Sequence, residues 1–291
     1  MKIEVKNVTK SYGKKKALDQ VSFVLEQGKI YGLLGRNGAG KTTLMQTIAG
    51  HIMSTSGDVF IDNQRPFENQ FITESICLIN ESGNFKKGLK VKETLKVCSL
   101  FYPNWDWKVA ERLLEEFSLE ENLKVKALSK GMESALGIIV GLAAKAPITI
   151  FDEPYIGLDA AHRKRFYELL LEEYENHPRT IILSTHLVDE VSRLFEEVLI
   201  FQRGKLVLKE DAEKLRDYGF VVQGSPDSID LLAKDHNVIH RKSFAGQETA
   251  VIFSKTGGRK TAETLGLKIE TLPVQELMIH LTSSQKGGKA V

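Results

Sequence analysis

A chain of 291 residues that is 42% hydrophobic and 27% charged can bury a full core and is too apolar to be disordered. Its 40 Lys and Arg nearly balance 38 Asp and Glu, leaving a net charge of +2, so no concentrated basic surface argues for a nucleic-acid partner. Cys77 and Cys98 are too few for a disulfide framework and sit in no ligand-spaced cluster, so both read as free thiols of a reducing compartment.

In chain order, MKIEVKNVTK alternates apolar and polar residues as a strand does and lacks the apolar core of a signal peptide. With LDQVSFVLEQ and KIYGLLG it makes three strands before about residue 35, separated by Gly- and Lys-rich turns. KIYGLLG runs into glycines and then into the helical KTTLMQTIAGH. Strand, glycine loop and helix together form the opening unit of a nucleotide-binding α/β fold. Between about 82 and 145 the period turns helical, in VKETLKVCSLFY and WKVAERLLEEFSL. Two apolar strands of the buried parallel kind, PITIFDEP and RTIILSTH, flank the helix AHRKRFYELLLEEYE, and EVLIFQRGKLVL reads as a last strand closing the core.

The longest apolar run, Ala135 to Ala144, stops at Lys145, well short of the roughly 18 residues that span a bilayer. A soluble cytoplasmic chain is therefore expected, which leaves docking on a membrane protein open. From about residue 216 to 291 the order is β-α-β-β-α-β, a small α+β appendage of ferredoxin-like order, ending in a frayed SSQKGGKAV.

GRNGAGKT, residues 35 to 42, matches G-x-x-x-x-G-K-[ST] in full and lies between an apolar strand and a helix, the setting that motif requires. Gly35, Asn37, Gly38, Ala39, Gly40, Lys41, Thr42 and Thr43 are the candidate nucleotide-binding residues. Gly38 and Gly40 permit turns that a Cβ would block, so that N–H groups can face a phosphate, and the helix dipole adds positive potential. Lys41 would reach the β- and γ-phosphates, and the Thr42 hydroxyl would ligate Mg²⁺. The strand ITIFDEP delivers Asp152 and Glu153 to the sheet edge where ligands bind in such folds. Asp152 is placed to hold the magnesium through water. Glu153 can act on the water that attacks the γ-phosphate. His186, in STH at the end of the next strand, is a candidate γ-phosphate contact; GLDA adds Asp159, and LSKGM precedes a buried helix just upstream of DEP.

These motifs in this order, with Tyr12 where an adenine-stacking aromatic would lie, resemble the ATP-binding subunits of ABC transporters over residues 1 to about 215. The resemblance implies a P-loop ABC ATPase fold: a RecA-like α/β core, an antiparallel β subdomain and a helical subdomain over about 82–145. It implies ATP and Mg²⁺ as cofactors. It also implies that Ser129 and Gly131 of LSKGM act on the γ-phosphate held by another subunit, so that two nucleotide-binding subunits, identical or paralogous, close around two ATP. Separate polytopic permease subunits would anchor the chain at the cytoplasmic face of the membrane. The combination of YPNWD and LSKGM is similar to the ATPases of ABC-2-type exporters, including YtrB-like, bacitracin-type and peptide-exporting ones.

Three features depart from the family pattern. The signature reads Lys130-Gly131-Met132 where Gly-Gly-Gln is usual, and Glu133 follows where a base is common. Lys130 is expected either beside phosphate or in solvent. Asn80 stands where a metal-contacting Gln is usual, one methylene shorter. LFYPNWDW, residues 100 to 107, is expected to pack within the helical subdomain near the permease groove. The alternative is a soluble regulatory ATPase of the same superfamily. Chromosome-maintenance members insert long coiled coils here, whereas Lys41 and Ser129 are only 88 positions apart.

Overall fold

The computed structural model describes residues 1–191, 194–244 and 246–283. The N-terminal alternation becomes β1 (Ile3–Tyr12), paired antiparallel with β2 (Lys15–Leu25). β3 (Ile30–Gly35) is buried at every position, as its unbroken apolar run requires, and leads into α1 (Lys41–Ile48). β4 (Ser56–Ile61), a short strand that the sequence pattern does not reveal, pairs with the free side of β1 and completes a three-stranded antiparallel sheet.

After α2 (Gln70–Glu74) and β5 (Ile76–Ile79) come the three helices α3 (Val91–Phe101), α4 (Trp107–Glu116) and α5 (Lys130–Ala143). Then follow β6 (Ile148–Asp152), α6 (Ala160–Asn176), β7 (Thr180–Thr185), α7 (Val188–Val191), β8 (Glu197–Gln202) and β9 (Lys205–Asp211). The central sheet has the order β5-β6-β7-β3-β8-β9, parallel except for β9. The segment EVLIFQRGKLVL is thus a hairpin and not the single strand expected. Arg203 (φ 48°) and Gly204 (φ 80°) form a two-residue left-handed turn, which Arg-Gly announces less clearly than Asn-Gly would. Gly204 donates to the Ala39 carbonyl at 2.9 Å and accepts from Asp19 N–H at 2.9 Å, pinning this turn between the phosphate loop and β2.

The helical segment is held on the sheet by α5, whose residues 134–143 are all buried. Gly137 and Gly141, one turn apart, let it approach closely: a Cβ would stand 2.8 Å from Ile79 Cγ2 at the first and 2.4 Å from Phe151 Cε1 at the second. α4 buries Val109, Ala110, Leu113 and Leu114 on one stripe. The aromatic stretch before it forms a corner. Asp106 caps α4 by accepting from Lys108 N–H and Val109 N–H, pairs with Lys145 at 2.5 Å, and lies between Trp105 and Trp107, whose rings meet edge-on at 5.6 Å. Cys77 and Cys98 are free thiols, pushed up to about 12 and about 11 by burial, so both remain protonated.

Beyond α8 (Ala212–Tyr218), the chain forms β10 (Gly219–Gly224), α9 (Pro226–Leu232), β11 (Asn237–Phe244), β12 (Gln247–Phe253), α10 (Gly258–Thr264) and β13 (Lys268–Thr271). Their antiparallel sheet has the order β11-β12-β10-β13, the ferredoxin-like arrangement, with Phe220, Ile229 and Ile252 in a core of its own. A further helix, α11 (Val274–Ser283), takes up the start of the segment expected to fray. It returns to the central sheet: Leu277 and Met278 are buried, Gln275 N–H donates to Asp189 Oδ1 at 3.1 Å, and Gln202 Nε2 donates to the Thr282 carbonyl. The rest of that segment, 284–291, lies outside the described residues. Among the described residues no helix is long and apolar enough to cross a membrane.

Because the Gly141 contact is with a fully buried ring, Gly141→Ala is expected to lower stability by about 1–3 kcal/mol, through overpacking. Urea unfolding should show a lower midpoint at unchanged slope.

Candidate active site

Parallel pairing brings three segments to one sheet edge. Leu34 lies opposite Thr185 and Asp152 opposite Ser184, so the phosphate loop, the Asp152–Glu153 pair and His186 leave neighbouring strands side by side. They line a cleft of about 520 Å³ that Tyr12, at the end of β1, closes on one side. The expected Asn37, Gly38, Ala39, Gly40, Lys41, Thr42, Thr43, Asp152, Glu153 and His186 all face it; Gly35 faces the adjoining hollow beneath α11. Gly40 starts α1 at φ 107°, and a Cβ there would meet the Ala17 carbonyl at 2.5 Å, so both its conformation and its surroundings demand glycine.

Lys41 is 6% exposed; its Nζ donates to the Gly35 carbonyl at 2.8 Å and lies 3.6 Å from Glu153 Oε1. Asp152 accepts from the Thr42 hydroxyl at 2.6 Å and from the Ser184 hydroxyl at 2.6 Å. Burial pushes its carboxyl above the ordinary range, with those two hydrogen bonds opposing. Thr42 and Asp152 thus present hard oxygens in contact with each other, one of them a charge that burial penalises. This donor set suits Mg²⁺ that keeps waters and phosphate oxygens as its other ligands. Among the described residues no group of three or more His, Cys, Asp or Glu forms an all-protein metal cage.

Glu153 stands at φ 49°, a left-handed conformation uncommon outside glycine. Its N–H is held by Ser184 Oγ at 3.0 Å, and its Oε2 lies 2.6 Å from His186 Nδ1. Ser184 was legible only as part of STH; its role in orienting both carboxylates required the pairing of β6 with β7.

Ser129, Gly131 and Asp159 do not reach this cleft. Ser129 caps α5, its Oγ accepting from Met132 N–H at 3.2 Å, which leaves the hydroxyl proton free to donate elsewhere. A Cβ on Gly131 would stand 2.5 Å from the Gly157 carbonyl oxygen, and Ser134 Oγ donates to the Ile156 carbonyl at 2.6 Å. The start of α5 is therefore fastened to the stretch that follows Glu153. Asp159 caps α6, accepting from His162 N–H at 2.8 Å.

Lys130 does not line the cleft; it stays at the surface, 40% exposed, where its Nζ donates to the Glu81 carbonyl at 2.9 Å and lies 3.7 Å from the Glu81 carboxylate. Glu133 accepts from Gly83 N–H at 3.3 Å, so both departures tie α5 to the loop after β5. In that loop Asn80 turns to Asn84, whose Oδ1 accepts Asn80 N–H at 2.8 Å, and Glu81 lines the cleft instead. Beyond Asn84 opens an apolar groove of about 510 Å³ between Phe85, Leu89, Val97, Phe101 and Tyr102; Trp105 and Trp107 are not part of it.

The family described as ABC transporter matches residues 18–156. MJ1023 of Methanocaldococcus jannaschii, an uncharacterized ABC transporter ATP-binding protein, is 35% identical over 210 residues, 71% of this chain and 76% of that protein. This chain belongs to the ATP-binding proteins of ABC transporters. YtrB of Bacillus subtilis, an ABC transporter ATP-binding protein, is 25% identical over 237 residues, 81% of each chain. The bacitracin transport ATP-binding protein BcrA of Bacillus licheniformis is 34% identical over 208 residues, 70% of this chain and 68% of its own. Among solved structures, the ATP binding subunit of an ABC transporter superposes with a TM-score of 0.66 at 28% identity, over 75% of this chain and 92% of that one. The ATP-binding cassette MJ0796, a dimer in a post-hydrolysis state with ADP and Pi, does so with a TM-score of 0.65 at 25% identity, over 72% of this chain and 98% of that one.

As an ABC ATPase this chain binds and hydrolyses ATP. Gly131→Ala should part the start of α5 from Gly157 without touching the cleft. Turnover is expected to fall at least about tenfold, while nucleotide affinity measured by fluorescence stays unchanged.

Proposed function

We propose that this chain is the ATP-hydrolysing engine of an ABC exporter, in which two nucleotide-binding subunits close around two ATP–Mg²⁺. The observation that carries the proposal is the division of the motifs. Lys41, Thr42, Asp152, Glu153 and His186 share one cleft, whereas Ser129 and Gly131 sit apart from it with an unspent hydroxyl donor. A cleft that a second subunit completes accounts for both facts.

In this reading Tyr12 stacks on the adenine, and Gly35, Asn37, Gly38, Ala39, Gly40 and Thr43 enclose the phosphates at the start of α1. Lys41 leaves the Gly35 carbonyl for the β- and γ-phosphates. Thr42 and Asp152 would hold the Mg²⁺, and Asn80, whose N–H and amide turn to Asn84 Oδ1, would join them only by leaving that partner. The metal, when bound, offsets the charge that develops on the phosphates. Glu153 exchanges His186 for the attacking water, and His186 donates to a γ-phosphate oxygen. Ser129 and Gly131 of the other subunit close over the same phosphate, and Asp159 orders the stretch that faces it.

Residues 1–215 form the nucleotide-binding domain, with 82–145 as its helical subdomain, and 216–291 an accessory domain. The second subunit is an identical chain or a paralogue. Permease subunits of the membrane dock in the apolar groove beside Asn84, which places the chain at the cytoplasmic face. Export of peptides or drugs is supported by the names of relatives such as BcrA.

Purified protein should release phosphate from ATP only when Mg²⁺ is added, and Lys41→Ala should abolish ATP binding and hydrolysis together. Hydrolysis by Lys41→Ala at the wild-type rate would overturn the assignment of the cleft.

A further inference from the structure

Tyr155 lies two positions after Glu153 and belongs to none of the motifs. Its ring is buried, 2% exposed, with Tyr167 edge-on at 6.4 Å. A phenylalanine would fill that space equally well, so the hydroxyl is what needs explaining. It points back at the end of β7. The phenol oxygen lies 2.9 Å from Thr185 Oγ1 and 3.2 Å from His186 Nδ1, and it accepts His186 N–H at 3.1 Å.

His186 Nδ1 therefore has two neighbours of different chemistry. Glu153 Oε2, at 2.6 Å, can only accept when ionised, so that contact requires the proton on Nδ1. A γ-phosphate oxygen also only accepts, so holding it requires a proton on Nε2. In a neutral imidazole a proton on Nε2 leaves Nδ1 as an acceptor in need of a donor. Of the two neighbours, the phenol is the one able to donate.

We infer that Tyr155 is a positioning residue for ATP hydrolysis: once Glu153 turns to the attacking water, the Tyr155 hydroxyl donates to His186 Nδ1 and fixes the Nε2–H tautomer that holds the γ-phosphate. This rests on the roles proposed above for Glu153 and His186. The tautomer change leaves the ring charge unaltered: Nδ1 gives a proton to water and Nε2 takes one from water, through a side chain that is 51% exposed. Burial keeps the phenol pushed up to about 12, so it remains a donor at neutral pH.

The test compares the wild-type full-length chain with Tyr155→Phe by steady-state ATPase kinetics, nucleotide binding, thermal melting and nitrogen-15 NMR of His186 with a non-hydrolysable ATP analogue and Mg²⁺. The expected result is a fall in kcat of about tenfold, the worth of one hydrogen bond, with KM, nucleotide affinity and melting temperature unchanged. The NMR should report a protonated Nε2 in the wild type and its loss in the variant. A wild-type kcat in Tyr155→Phe would overturn the inference, as would a parallel fall of kcat, affinity and melting temperature, which would make the hydroxyl merely structural. A wild-type chain that hydrolysed no ATP would defeat the proposed function instead. The nitrogen signature would still decide the tautomer.

Discussion

The hydrogen bonds that pair β3 with β7, and β7 with β6, set the position of every polar group in the cleft. Three strands running the same way end at one edge, and each ends in a different kind of group: a glycine loop with a lysine, two carboxylates, a histidine. Their registers make Ser184 the neighbour of Asp152 and Thr185 the neighbour of Leu34. These strands are buried at every position, and the same burial desolvates Asp152 and penalises its charge, a penalty that a dication would relieve.

A second set of contacts runs through the backbone rather than through charge. Gly131 and Gly157 touch where neither has a side chain, and Ser134 bonds the Ile156 carbonyl, so the start of α5 and the segment after Glu153 form one piece. Lys130 and Glu133 extend that piece to the loop 80–84, which borders the apolar groove. These polar contacts join the loop beside the groove to the stretch that carries Ser129. The ion pair between Lys130 and Glu81 is exposed and contributes little by itself; the hydrogen bonds to backbone groups carry the link.

The parts legible in the sequence are those set by local chemistry. GRNGAGKT between a strand and a helix announces the phosphate loop, and short runs dominated by apolar residues announce β3, β6 and β7. The appendage's order follows from its turns. The β8–β9 hairpin was hidden because Arg-Gly is a weak turn signal, and β4 because it is short and begins beside a glycine. α11 was missed because its amphipathic stretch continues into a tail rich in glycine and lysine. At the site, Ser184, Glu81 and Tyr155 were not legible as participants, since each acts through a partner at least 30 positions away: Asp152, Lys130 or His186. Lys130 shows the same limit from the other side. Its charge suggested phosphate or solvent, and only the packing of α5 against the loop after β5 reveals Glu81.

The cleft is proposed to be half a site, completed by Ser129 and Gly131 of another subunit. It is tested most directly by light scattering of purified Glu153→Gln protein with and without ATP–Mg²⁺, since loss of the proposed general base should hold the closed state. The mass is expected to double only when ATP–Mg²⁺ is present and to return to the monomer value when Ser129 is also replaced by arginine. A protein that binds ATP–Mg²⁺ yet stays monomeric, even when mixed with its permease subunits or a paralogous ATPase, would contradict it.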